Sequence, residues 1–346
     1  WSDIQFPWAR SQGRRSGSIR QPPFSSRTSP RSPNSEGLIY ACDSRKYMKN
    51  FEEQNENSSE TVKSTTEKYR SGFVSVVGRP NVGKSSLVNK ICEEKIAITS
   101  NKPQTTRHQI RGVLHKPNSQ LIFVDTPGIH RPRTSLGERL NTTATAAIND
   151  IDLICLVLDA TAPIGPGDRF IAEKLPKEAI VLVNKCDKAK KSQIAERLIE
   201  ASEFDFAEYF PVSAKTGEGL EVLLSHLNMQ IPEGPMFYPA DQTSDMTDRD
   251  YVAELVREQL LRIMKEELPH SIATRVTEWE WPRIRIEILV ERESQKGIVI
   301  GHKGENLKRV GTEVRKQLAE GTHVELQVNV DKNWQKRPDE IRRLGY

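Results

Sequence analysis

The chain has 346 residues, 36% of them hydrophobic, which is enough for two domains with buried cores and excludes wholesale disorder. Its net charge of +4 is local: residues 1–47 hold eight Lys/Arg against three Asp/Glu, and the remainder carries 43 basic and 44 acidic side chains, so overall basicity is no argument for nucleic acid. No run of about 18 apolar residues is present to span a membrane, and Cys42, Cys92, Cys155 and Cys186 lack disulfide or metal-ligand spacing, so a reducing compartment is expected.

Residues 1–47 are rich in Ser, Arg and Pro and carry no apolar period, which predicts disorder. An Arg- and Ser-rich, acid-poor leader also fits an organelle transit peptide. The favoured reading is a translated upstream stretch, because the chain starts on Trp1 and Met48 offers an alternative start. Residues 49–71 read as a polar lead-in, so residues 1–71 are expected to precede the first domain.

From Phe73 the pattern alternates between strand and helix. The run Phe73–Val77 leads into Gly78-Arg79-Pro80-Asn81-Val82-Gly83-Lys84-Ser85 and then into a helical pattern beginning Ser86-Leu87. Strand, glycine-spaced loop and helix start together define a phosphate-binding loop. The glycines let consecutive N–H groups turn towards phosphate oxygens, and the helix adds its positive end. Lys84 is placed to meet the β- and γ-phosphates, and the Ser85 hydroxyl to ligate Mg²⁺.

Two strands follow, Gln109–Leu114 and Gln120–Val124, with a hairpin loop between them. The second runs into Asp125-Thr126-Pro127-Gly128. Asp125, at a strand's carboxyl end, is expected beside the Mg²⁺, and the Gly128 N–H at the γ-phosphate. Buried strands Leu153–Leu158 and Ala179–Val183 come next, the second ending in Asn184-Lys185-Cys186-Asp187. Tyr209–Val212 then leads into Ser213-Ala214-Lys215. Such alternation implies a mostly parallel sheet covered by helices, with the ligand at the carboxyl ends of the strands.

The Asn-Lys-x-Asp sequence selects the base. The Asp187 carboxylate can accept from guanine N1–H and the exocyclic amine, a donor pair that adenine lacks on that edge. Lys185 can cover the base, Asn184 can tie this loop to the phosphate loop, and the Ala214 N–H can reach guanine O6. The expected ligands are GTP and GDP with Mg²⁺.

These elements resemble the translation-factor-related GTPases. The wording of 78–85, of Lys102-Pro103-Gln104-Thr105-Thr106-Arg107-His108 and of Asp125-Thr126-Pro127-Gly128-Ile129-His130 resembles the Era family. The resemblance makes the segment around Thr105-Thr106 the first switch. Thr106 is the expected γ-phosphate-sensing Mg²⁺ ligand, with Thr105 the alternative. Ras-like GTPases orient the attacking water with a glutamine where this chain has Ile129, which predicts slow or assisted hydrolysis. The resemblance offers a K⁺ bound by Asn81 as the assistance; Asn81 as a plain turn former stays open.

Residues 231–250 are Pro-, Gly- and Asp-rich and read as a linker between a G domain over 72–230 and a second domain over 251–346. The linker is also the expected route by which the switch speaks to the second domain. A helix with Val252, Leu255, Val256, Leu260, Ile263 and Met264 on one face is predicted to end at Pro269, followed by strands at Ile272–Glu278 and Arg285–Val290. Then comes Ile300-Gly301-His302-Lys303-Gly304 between two helical segments, with six Lys/Arg between Lys296 and Lys316, among them Lys308, against Glu305 and Glu313. A strand over His323–Val330 completes the pattern of an α+β type II KH domain, whose glycine loop admits a single-stranded RNA backbone. Trp279, Trp281 and Trp334 are expected in packing rather than stacked on bases, and Arg342-Arg343 at a solvated end.

The resemblance covers about residues 72–343. It implies a monomeric GTPase that binds the 3′ end of small-subunit ribosomal RNA during small-subunit assembly, in a bacterial cytoplasm with a peripheral membrane contact. The alternative compartment is a mitochondrion or chloroplast. Alternative functions are a GTPase of tRNA modification, for which helical flanks are missing, and an RNA-binding module with a vestigial nucleotide site, which intact Lys84, Ser85, Asp125 and Asp187 oppose.

Overall fold

Val74 and Val76 point to one side of the first strand and Val77 to the other, and all three are buried. A strand covered on both faces must lie inside a layered sheet. In the computed structural model, which describes residues 68–102, 105–128, 135–146 and 151–346, that strand, β1 (Arg70–Val77), sits third in a sheet of six. The expectations for residues 1–47, for Met48, and for Ile129 and His130 lie outside the described residues. The first strand starts at Arg70, inside the stretch expected as lead-in, because Arg70 and Ser71 already donate to Asn118 and Pro232 carbonyls.

The phosphate loop joins β1 to α1 (Lys84–Ile91). A hairpin of β2 (Ile110–Lys116) and β3 (Ser119–Asp125) follows, then α2 (Ser135–Ala146), β4 (Leu153–Asp159) and α3 (Pro166–Ala172). The rest of this layer is β5 (Ile180–Asn184), α4 (Lys191–Ser202), β6 (Glu208–Pro211) and α5 (Leu220–Gln230). Sheet order is β2-β3-β1-β4-β5-β6, parallel throughout except for the edge strand β2. Alternate residues of β4 feed two cores: Cys155 and Val157 join Leu87, Val88 and Leu223 on one face, while Leu156 and Leu158 join Val181 and Ala201 on the other. Strand order reverses at β1, so a crevice opens beyond its carboxyl end, where α/β sheets hold their ligands.

The segment read as the linker is docked along this sheet. Gly234 N–H donates to Tyr69 O and Val113 N–H to Thr243 O, and Gln120 Oε1 accepts from Phe237 and Tyr238 N–H. The bond at Val113 covers the edge strand β2, and the others hold the segment against β1 and β3. The switch segment also meets the second domain directly, at α6 (Asp248–Ile263) and at the His270 and Ile272 carbonyls beyond it. Thr247 caps α6, accepting from Asp250 N–H.

Pro269 does not end that helix, which stops at Ile263. It sits in the first turn of a short separate helix, α7 (Leu268–Ser271), where its missing N–H leaves no bond unmade. Beyond it come β7 (Ala273–Glu280), β8 (Arg283–Val290), α8 (Glu293–Ile300), α9 (Glu305–Arg315) and β9 (His323–Val330). Strand β8 pairs antiparallel with β7 and parallel with β9. This is the expected α+β arrangement, helix, two strands, two helices around a glycine loop, and strand. Its core is Val256, Leu260, Ile286, Ile288, Val310 and Val314 with their neighbours.

The tail is more than a solvated end. In and after α10 (Pro338–Arg343), Ile341, Leu344 and Tyr346 bury against Leu136 and Leu140 of α2 and against Ala273 and Leu289 of the second sheet. The Arg342 and Arg343 guanidiniums remain in water, beside Asp339 and Glu340. Trp334 is fully buried in this junction with its Nε1–H on Ser271 O at 3.0 Å, which makes it a packing residue. Trp281 is half exposed.

Candidate nucleotide and RNA sites

The phosphate loop is shaped by what its glycines avoid. At Gly83 φ is +103°, and a Cβ would stand 2.4 Å from Asn184 Nδ2; at Gly78 it would stand 2.6 Å from Val157 O. Both positions therefore demand glycine. Lys84 is buried and its ammonium donates to Gly78 O and Arg79 O, each at 3.1 Å. Burial pushes its pKa down to about 8, opposed by the Asp125 carboxylate. Asp125 is itself pushed upward by burial and pulled back by Lys84 and by the Ser85 and Thr106 hydroxyls.

Those hydroxyls converge. Ser85 Oγ lies 2.8 Å from Thr106 Oγ1, which in turn lies 3.4 Å from Asp125 Oδ2. Asp125 Oδ1 is buried without a hydrogen-bond partner. Thr105 points elsewhere, donating to Lys102 O at 2.6 Å. Two hydroxyls and a carboxylate with an unmatched buried oxygen are hard ligands suited to Mg²⁺ with its waters. Thr126 anchors the strand end by donating to Val76 O, and Val82 is core. Pro80, Ser86 and Gly128 line the same cleft of about 810 Å³, and Pro127 precedes Gly128 on the chain. Arg79 is turned away to Asp168 of α3, at 2.6 Å.

The base-recognition loop is tied down as expected through Asn184, whose Nδ2 donates to Val82 O at 2.9 Å. Lys185 spans from Asn81 O to Asp159 Oδ2, both at 2.6 Å. Ser213 Oγ donates to Asp187 Oδ1 at 2.7 Å, and Lys215 is exposed beyond it. The Ala214 N–H donates to Asn184 Oδ1 at 3.0 Å, which links the Ser213-Ala214-Lys215 turn to the base-recognition loop. Asn81 Nδ2 donates to Asn101 O at 2.9 Å.

Sequence reasoning missed Asp159, Asp168 and the second-domain residues Leu261 and Arg262 that line the cleft. Asp159 had a usable signal, since it ends a parallel strand at the crevice. The others are brought in by tertiary packing alone.

On the second domain, α8 ends at Ile300, which packs against the core. Gly301 and Gly304 hold φ of +76° and +79°, and His302, Lys303 and Lys308 are exposed. Asn306 Nδ2 donates to Ile298 O and ties the loop's far side to α8. The Ile298 side chain is 57% exposed beside the loop. The result is an apolar ledge next to exposed cations, which can seat a base and its phosphate.

Comparison with known proteins agrees with both halves. The family described as 50S ribosome-binding GTPase matches residues 73–185, and the KH domain family matches 267–335. GTPase Era of Mycobacterium sp. (strain JLS) is 46% identical over 296 residues, 80% of this chain and 99% of the relative. GTPase Era of Corynebacterium diphtheriae is 44% identical over 301 residues, 82% of this chain and 98% of the relative. Among solved structures, Era in complex with MgGDPNP and nucleotides 1506–1542 of 16S ribosomal RNA superimposes with a TM-score of 0.77 at 35% identity, over 80% of this chain and 99% of that one. A variant of Aquifex aeolicus Era bound to GDP·AlF4⁻ gives the same TM-score at 36% identity, with the same coverage.

Proposed function

Because this chain belongs to the Era GTPases, we propose that it hydrolyses GTP in the cleft beside Lys84 and binds the 3′ end of small-subunit ribosomal RNA, acting in rRNA maturation and small-subunit assembly. The observation that carries this reading is the convergence of Ser85, Thr106 and Asp125 around an unmatched buried carboxylate oxygen, next to a buried lysine. Mg²⁺ held there would neutralise charge between the β- and γ-phosphates. Lys84 would leave the Gly78 and Arg79 carbonyls for the phosphates, and Thr106 would report the γ-phosphate to the switch segment. Asp187 would pair the guanine edge, with Lys185 alongside. The glycine loop 301–304 would take the RNA backbone. Among the described residues no helix is long and apolar enough to cross a membrane.

Single-turnover hydrolysis of GTP, with and without a fragment of the rRNA 3′ end, tests the reading. Hydrolysis that needs Mg²⁺, and saturable binding of the fragment, are expected. A protein that binds GTP but never turns it over, with RNA or without, would leave a nucleotide-gated RNA binder rather than an enzyme.

A further expectation concerns Asn81. If its side-chain oxygen ligates K⁺, exchanging Na⁺ for K⁺ at constant ionic strength raises the hydrolysis rate roughly tenfold, short of the ~10³ or more of an arginine finger. Asn81→Ala flattens the difference. Equal rates in both salts for the unaltered protein would rule the cation out.

A further inference from the structure

Helix α6 is buried on both faces. One face supplies Val252, Leu255, Val256 and Leu260 to the second domain's core. The other presents Glu254, Arg257 and Glu258, all but fully buried, to the switch segment of the first domain. Buried charges persist only where they are paired, and each of these is. Arg257 donates through Nε and Nη2 to the two oxygens of Glu254, and Nη2 also donates to the Thr105 carbonyl. Glu258 accepts from Lys95 Nζ at 2.7 Å and from Thr99 N–H at 3.0 Å.

The same segment is gripped further along. Arg107 donates to the His270 and Ile272 carbonyls at 2.9 and 2.7 Å. Its guanidinium lies over the Trp334 and Tyr346 rings. Lys95 also donates to Gln317, just past α9, at 2.6 Å. The second domain thus holds the switch at residues 95, 99, 105 and 107, on both sides of Thr106.

We propose that Arg257 is a positioning residue for the GTP-bound state: by fixing the Thr105 carbonyl it places the Thr106 hydroxyl beside Ser85 and Asp125, so the second domain completes the Mg²⁺ side of the nucleotide site. The inference rests on the GTPase reading above. A planar guanidinium suits the task because it serves a carboxylate with two donors and still reaches a carbonyl. GDP has no γ-phosphate for Thr106 to sense, so the contact bears on GTP and not on GDP.

The test uses the full chain carrying Glu254→Met with Arg257→Met, a pair of apolar replacements that leaves no unpaired charge in the interior. Affinities for GDPNP and GDP are measured by titration in Mg²⁺ and again in EDTA. A roughly tenfold fall in GDPNP affinity in Mg²⁺, a higher half-saturating Mg²⁺ for GDPNP and an unchanged GDP affinity are expected. Unchanged GDPNP affinity overturns the inference. So does an equal loss for both nucleotides, which would mark a purely structural role. Should the double variant fail to fold, Arg257→Lys, which keeps the charge but loses the planar fork of two donor nitrogens, has to show the same selective loss. An unaltered protein that binds neither nucleotide would instead defeat the GTPase reading.

Discussion

Asp187→Asn is expected to lower GTP affinity by a factor on the order of 10⁴ and to make xanthosine triphosphate the preferred ligand. The carboxylate follows the end of β5 in a loop fixed from three sides. Asn184 ties it to the phosphate loop, Lys185 ties it to Asp159, and Ser213 donates to Asp187 Oδ1 at 2.7 Å. An asparagine keeps an oxygen for Ser213 but turns an N–H₂ towards the base. Guanine then meets donor against donor, whereas the extra carbonyl of xanthine accepts that hydrogen. The loss is large because groups held this firmly cannot swing away to find other partners. Asp187 is exposed in the protein, so the change should leave the melting temperature nearly untouched. Competition of GTP and xanthosine triphosphate for one fluorescent nucleotide measures the ratio. A variant that still prefers GTP would show that the base is read elsewhere.

Much of this site was legible because its parts are local. The loop 78–85 follows a strand and opens a helix within a dozen residues, and Asp125 and Asn184 each end a parallel strand, so position on the chain fixes position in the crevice. The choice between Thr105 and Thr106 was not legible, because two adjacent threonines offer the same hydroxyl, and only the fold puts Thr106 beside Ser85 while Thr105 donates to Lys102 O. The grip of α6 on the switch was not legible. Arg257 and Thr105 are 152 residues apart, and Glu254-x-x-Arg257-Glu258 on an amphipathic helix reads as a solvated polar face. The tail misled for the same reason. Its arginines do face water, while Ile341, Leu344 and Tyr346, too few to show a period, carry the docking. Pro269 looks like a stop signal in the sequence because a proline inside a helix and one in a first turn are identical without the break at Met264.

Gly304→Asp, alone and with Gly301→Asp, is expected to weaken binding of a single-stranded rRNA 3′-end fragment by roughly tenfold to a hundredfold, or about 1–3 kcal/mol. The two glycines differ in a way that separates causes. A Cβ on Gly301 would stand 2.8 Å from the Asn306 side chain, so its substitution also disturbs the bond from Asn306 to Ile298 O. A Cβ on Gly304 meets nothing within 4 Å. Its replacement therefore adds only charge, bulk towards the RNA and the strain of a positive φ. Gly321 supplies the control for strain, since φ there is +85° and its Cβ would also enter open space, outside the loop. Gly321→Asp should share a modest loss of stability while keeping RNA affinity. GTP affinity without RNA should stay level in all three variants, because the phosphate loop draws no group from residues 301–304. In the unaltered protein the clasp on the switch predicts tighter RNA binding with GDPNP than with GDP, and by linkage RNA should tighten GDPNP by the same factor. Titrating the labelled fragment against each variant and nucleotide reads all of this at once. Full RNA affinity in Gly304→Asp would remove the glycine loop from the interface, whereas equal affinity with both nucleotides would leave the loop in place and break the coupling.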